Sequence, residues 1–243
     1  MFDIVIPIGP NDKEILGRQL EYTKRNVIGY RNIYLISYDP AIQEEGCITV
    51  DEKLFPFSMD TVYTAHGPSS RGGWYLQQLL KLYAGFVVPG ILERYLVIDA
   101  DTFFLKPTEF VDAATGKCMY AYGTEHHVPY FEHMQRMASG WRKIDNTKSG
   151  ICSHMMFETK YVKEILNAIE HGHNKPFYNV FLEQVSSVHY IYSGASEYEM
   201  YFNYMLQFHP SEIIVRELKW SHANQLNEHC DDVFQSVHWY IRA

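Results

Sequence analysis

Asp99 and Asp101, two residues apart, close the apolar run YLVI at residues 95–98. In an extended backbone, side chains at i and i+2 leave on the same face, so this spacing predicts two carboxylates aimed at one spot. Two anions so placed repel each other unless a cation joins them. Hard oxygen ligands select Mg2+ or Mn2+, and such an ion usually completes its shell with substrate phosphates. The alternative is a pair of acidic turn residues that merely end a strand. A second apolar run, TFFL at 102–105, follows at once, and that favours a site over a bare turn.

Other residues could serve the same chemistry. Arg71 lies in SSRGG at 69–73, just before a helical stretch, where backbone N–H groups and a guanidinium fork could meet phosphate oxygens. Lys81 interrupts an otherwise apolar helix, roughly in register with Gln77 and Gln78; the bland alternative is a lysine snorkelling to solvent. Glu197 and Glu199 open a later helix, where a carboxylate could take a proton from a hydroxyl. Ser196 and Glu199 also have capping-box spacing, and the helix dipole favours an acid in the first turn. Glu197 is therefore preferred to Glu199 as a base. Of the 12 histidines, His126, His127, His171 and His173 show no ligand pattern. His238 differs, because it sits in an apolar run near the C-terminus, and His222 is its runner-up.

These residues need a scaffold, and the first half of the chain supplies one. Strand signals at 3–8, 32–37 and 94–98 alternate with helical spacing at 13–26 and 73–87. Strands apolar along their whole length, separated by helices, imply a mainly parallel sheet covered on both faces. The ligand edge of such a sheet is the carboxyl end of its strands, where Asp99 and Asp101 fall. Later, strands are expected at 118–122, 151–157, 213–218 and 233–240. Helices are expected at 160–171, 176–185 and 196–208. No linker or repeat divides the 243 residues, which predicts one α/β domain: a nucleotide-binding half to about residue 110 and an acceptor half over 111–243. The ring-rich segment 120–141 could line an acceptor, although aromatics at helical spacing are more often core.

Composition narrows the function. With 21 basic against 29 acidic side chains the net charge is −8, which disfavours a non-specific grip on nucleic acid. The four cysteines are far apart, with no C-x-x-C pair, so free thiols and a cytoplasmic location are expected. The N-terminus begins as a strand and lacks the basic and apolar regions of a signal peptide. The most apolar stretch, 83–92, is short and broken by Gly85, Pro89 and Gly90, so no transmembrane segment is expected. Phosphate-loop, dinucleotide and serine-hydrolase motifs do not occur.

YLVIDADTFFLKP at 95–107 resembles the Asp-x-Asp segment of glycosyltransferases of the GT-A fold. RGGWYLQQLLKL at 71–82 is similar to the helix before that motif in a family of small bacterial and giant-virus glycosyltransferase-like proteins. SHMMF at 153–157 and SEYEMY at 196–201 also fit, less distinctively. The resemblance implies a single GT-A domain using a nucleotide-diphosphate sugar, with UDP as the expected nucleotide, and a glycan or other hydroxyl acceptor. It implies Mn2+ or Mg2+ held by Asp99, Asp101 and His238, with Asp101 also catalytic and Glu197 the base of an inverting transfer; a retaining transfer, which needs no such base, stays open. The nucleotide would meet Pro7, Ile8, Gly9 and Asp12 after the first strand, and Tyr38 and Asp39 after the second. Arg71, Gln78, Lys81, Asp99 and Ala100 would complete the donor site. The alternative is a non-catalytic nucleotide-sugar-binding module of the same fold.

Overall fold

A computed structural model describes residues 1–242; Ala243, the last residue of the expected acceptor half, lies outside the described residues. The chain begins β1 (Phe2–Ile8), α1 (Lys13–Asn26), β2 (Val27–Ile28), β3 (Tyr30–Ser37), β4 (Ile48–Asp51), α2 (Met59–His66) and α3 (Gly72–Val87). It continues with β5 (Arg94–Ile98), β6 (Thr102–Phe104), β7 (Thr108–Glu109), β8 (Cys118–Tyr122), α4 (Val128–Met137) and β9 (His154–Glu158). Then follow α5 (Thr159–His173), α6 (Phe177–Glu183), α7 (Ser187–Tyr190), α8 (Glu197–Phe208), β10 (Ile213–Glu217), β11 (Trp220–His222) and β12 (Phe234–Ser236).

Every residue of β1 is buried. A strand that apolar must be covered on both faces, and it lies at the centre of a five-stranded sheet ordered β4-β3-β1-β5-β9. Val5 pairs in parallel with Tyr34 on one side and Val97 on the other. Only β9 runs antiparallel, with Met155 opposite Val97. The mixed α/β class and mostly parallel sheet are as expected. Successive strands build outward from β1 to β4, and then the chain returns to β5 on the other side. In open α/β sheets such a reversal marks the crevice where ligands bind, here beyond the carboxyl ends of β1 and β5.

Helix α3 packs on β1 and β5. Its Gly85 permits the approach, because a Cβ there would overlap Thr159 and Tyr95. Helix α1 is tied to β6 by Gln19 and Asn26, which donate to the carbonyls of Thr102 (3.0 Å) and Phe104 (2.5 Å). One continuous core runs from β1 through α8 to Phe234, so both expected halves share it.

Three regions differ from expectation. Residues 151–153 do not join β9; Ser153 takes a left-handed backbone, φ 57°, and turns the chain. The expected strand over 233–240 is confined to Phe234–Ser236; Val237 N–H still donates to the carbonyl of Asp101 (2.8 Å), and the chain then turns, Ile241 N–H donating to the His238 carbonyl (3.0 Å). The ring-rich segment 120–141 folds inward: Tyr120, Tyr130, Phe131 and Trp141 are buried and serve as core rather than lining a surface. Helices α2 and α4 and strand β4 are additional to the expected elements. All four cysteines are free, and burial pushes the Cys118 thiol up to about 12. Among the described residues no helix is long and apolar enough to cross a membrane.

Candidate active site

The crevice at the ends of β1 and β5 gathers acids. Gly9–Asp12 follows β1, and Asp99–Asp101 follows β5. The aspartates do not continue the strand as the i, i+2 reading requires. They occupy a tight turn in which Thr102 N–H donates to the Asp99 carbonyl (2.9 Å). The turn parts their side chains into different surroundings.

Asp99 faces inward. Its Oδ1 accepts from Lys81 Nζ (2.6 Å) and from the Tyr198 hydroxyl (2.8 Å). The same ammonium donates to Glu197 Oε1 (2.7 Å) and lies 4.2 Å from the centre of the Tyr198 ring. Burial alone would lower the Lys81 pKa, but the two carboxylates outweigh it and keep the lysine charged. Burial, with the charges of Asp99 and Glu197, holds the Tyr198 hydroxyl protonated and so a donor. For Glu197, burial raises the pKa against the pull of Lys81, as two acids sharing one cation should behave.

Asp101 is the more buried of the two, its side chain 12% exposed. Its Oδ2 pairs with His238 Nδ1 (2.7 Å), while its Oδ1 is buried with no partner. Burial tends to lower the His238 pKa, but the bond to Asp101 and the charges of Asp101, Asp99 and Asp12 raise it overall. His222 stands beside it, ring centres 4.7 Å apart. Its pKa is lowered by burial and by His238, against the pull of Asp101. Asp12 completes the cluster, bonded to Arg242 (2.9 Å); burial first, then Asp101 and Asp99, raise its pKa in spite of that bond. Four carboxylates, those of Asp12, Asp99, Asp101 and Glu197, thus face two fixed cations, Lys81 and Arg242. The crevice is short of positive charge.

A divalent cation fits such a deficit. Oxygen from Asp101 and Asp99 with nitrogen from His238 suits Mn2+ or Mg2+, and the orphaned Oδ1 of Asp101 is an acceptor without a donor. Among the described residues no group of three or more His, Cys, Asp or Glu side chains is placed to hold a metal ion, and Asp99, Asp101 and His238 together do not form one.

The other expected residues divide. Pro7 and Ile8 are buried in β1, so their side chains are core and only Gly9 onward reaches the crevice. Tyr38 and Asp39 end the neighbouring β3. Asp39 accepts from Lys13 (2.8 Å) and from Ala41 N–H (3.0 Å), which is an Asp-Pro turn with an exposed ion pair. Gln78 is buried and accepts from Glu197 N–H (3.0 Å), positioning the start of α8. Ala100 is buried in the aspartate turn. Arg71 donates to Ser193 Oγ (2.7 Å), stacks over Trp74 at 4.5 Å, and keeps a buried, unpartnered Nε.

Glu199 is structural, for a different reason from the capping box. Ser196 accepts its N–H (3.2 Å), but its carboxylate is held by Lys143 (2.8 Å), Ser149 (2.7 Å) and Gly150 N–H (2.7 Å). Sequence reasoning misses Tyr198, Ser153, Ser193 and Arg242. Tyr198 had one available signal, its place beside Glu197 at a helix start. Ser153, whose carbonyl accepts Asp99 N–H (2.9 Å), had none.

Residues 40–237 match the model of DUF6492, described as a family of unknown function, and the chain belongs to that family. No curated protein matches it in sequence. Among solved structures it is similar to the apo form of mouse xyloside xylosyltransferase 1, at 12% identity and a TM-score of 0.45, over 91% of this chain and 87% of that one.

Proposed function

We propose that this protein is a glycosyltransferase of the GT-A type that uses a nucleotide-diphosphate sugar, with UDP the first base to test. The observation that carries the reading is the crevice with too few cations, its orphaned Asp101 oxygen beside His238 at the switch point of a parallel sheet. Such a site seeks a divalent ion together with a ligand bearing phosphates. Asp101, Asp99 and His238 would hold Mn2+ or Mg2+, which when bound would neutralise charge on the departing diphosphate. The chain's own residues do the rest. Lys81 holds Asp99 and Glu197 in fixed relation, and Tyr198 fixes the Asp99 oxygen from the other side. Arg71, with its buried free N–H, supplies positive charge at the start of α3.

A proton acceptor needs a free oxygen toward the attacking hydroxyl. Glu197 instead gives Oε1 to Lys81 and has a side chain 4% exposed. In this reading Glu197 is therefore a positioning residue, and the site supplies no argument for inversion over retention.

Incubation with UDP-, GDP-, CDP- and dTDP-sugars, with and without Mn2+, tests the proposal. Metal-dependent release of free nucleoside diphosphate is expected, together with a higher melting temperature. Nucleotide binding without release would instead mark a non-catalytic module, and neither binding nor release would sink the reading.

A further inference from the structure

The residues after β12 present rings outward. Trp239 is 58% exposed and Tyr240 is 64% exposed. They are not loose. Arg242 donates to Val237 O (3.2 Å), Asn11 O (2.9 Å) and Asp12 Oδ1 (2.9 Å), which straps the segment to the turn after β1. The rings form a file that begins at the reaction centre: Asp101 holds His238, the Tyr240 ring stacks on His238 at 5.4 Å, and Trp239 meets Tyr240 edge-on at 5.9 Å. The charges felt at the Tyr240 hydroxyl are those of Asp101, Arg71 and Glu125. Beyond Arg71, its partner Ser193 follows Ile191 and Tyr192, which are 57% and 66% exposed.

A pre-ordered, exposed aromatic pair beside a reaction centre is a surface awaiting a ligand. The ligand must offer flat apolar faces to the rings and hydroxyls to the surrounding carboxylates and guanidinium. A pyranose does both. A lipid surface matches the rings but not their charged surroundings, and the net charge of −8 opposes an anionic membrane.

We propose that Trp239 and Tyr240 form the platform on which a saccharide acceptor stacks, its reacting hydroxyl directed toward the Asp101–His238 end of the crevice. This rests on the glycosyltransferase reading and names its acceptor class.

The full chain, wild type and Trp239→Ala/Tyr240→Ala, is applied to a broad glycan array, and nucleoside diphosphate binding with Mn2+ is measured by titration calorimetry in parallel. The single Trp239→Phe variant keeps a ring and serves as the control. The expected result is retention of a set of glycans by wild type and Trp239→Phe, weakened about tenfold or more in the double variant, with nucleotide affinity unchanged. Retention of no glycan, or retention indifferent to the double substitution, overturns the platform while intact nucleotide binding leaves the donor reading standing. Ring-dependent association with phosphatidylcholine vesicles in place of glycans overturns it in favour of a membrane contact. Weaker nucleotide binding in the double variant overturns it in favour of base stacking. Loss of nucleotide binding in wild type, with glycans still retained, sinks the donor reading alone.

Discussion

Asp99 and Asp101 are separated by one alanine yet live in unlike surroundings. Asp99 is met by an ammonium and a phenol, both buried, and its charge is answered within the protein. Asp101 is met by an imidazole that is charged only when protonated, and one of its oxygens has no partner. The first is paired by groups of α3 and α8, and the second keeps one buried oxygen without a partner. A short acidic motif can thus split its labour, and the split is set by what α3 and α8 bring to one side and the segment after β12 to the other.

The comparison breaks most severely at Lys81. Lys81→Met would leave Asp99 and Glu197 as buried carboxylates without their cation, at a cost of about 3–5 kcal/mol in urea unfolding. Adding Asp99→Asn and Glu197→Gln should restore much of that loss; no recovery would mean that Lys81 acts through packing. Asp101→Asn should behave the other way round. Metal-dependent nucleoside diphosphate release should fall about 100-fold or more, while unfolding stability moves by less than about 1 kcal/mol. Equal losses of stability from Asp101→Asn and Lys81→Met would erase the distinction. Tyr198→Phe removes one charge-assisted bond and leaves Lys81 in place, so a loss of about 1.5 kcal/mol is expected by the same urea measurement.

The smallest effect is in pH. His238 has a raised pKa in the folded protein, so its pairing with Asp101 stabilises fully below the ordinary histidine value and is lost as pH rises through the raised one. Buried His133 and His154 have lowered values, about 4 and about 3, so their effect lies on the acid side, where stability falls as pH drops below 6.5. The difference in melting behaviour between metal-free wild type and His238→Gln should therefore be up to about 1 kcal/mol near pH 6 and should vanish toward pH 9. Lys81, whose pKa is raised by its two carboxylate partners against the effect of burial, should stay charged over that range.

Much of the scaffold was legible, because hydrophobic period and turn residues are local signals. The expected spans 13–26, 94–98 and 118–122 coincide with α1, β5 and β8. Helix α2 escaped notice although Ser58 and Thr61 cap it reciprocally, since threonine stands where the usual signature has a glutamate. Helix α4 was hidden by Pro129, which suits a first turn but reads as a breaker. The site was legible only as residue types. Asp99, Asp101, Lys81 and His238 could be picked out singly. Their partnerships could not, because Lys81 meets Glu197 across 116 positions and Asp101 meets His238 across 137. No periodicity encodes a pairing over such a distance. The one geometric inference drawn from spacing, that two acids at i and i+2 share a face, failed because the chain turns there instead of extending.

The clasp between Arg242 and Asp12 spans 230 positions. Closing so large a loop is entropically costly and slow to find. A chain emerging from the ribosome can assemble the sheet around β1 long before that contact is available. The Asp12 side of the acid cluster is then completed after the Lys81 side, and a C-terminally clipped molecule is expected to keep the sheet and the Lys81 pairs while Asp12 loses its cation.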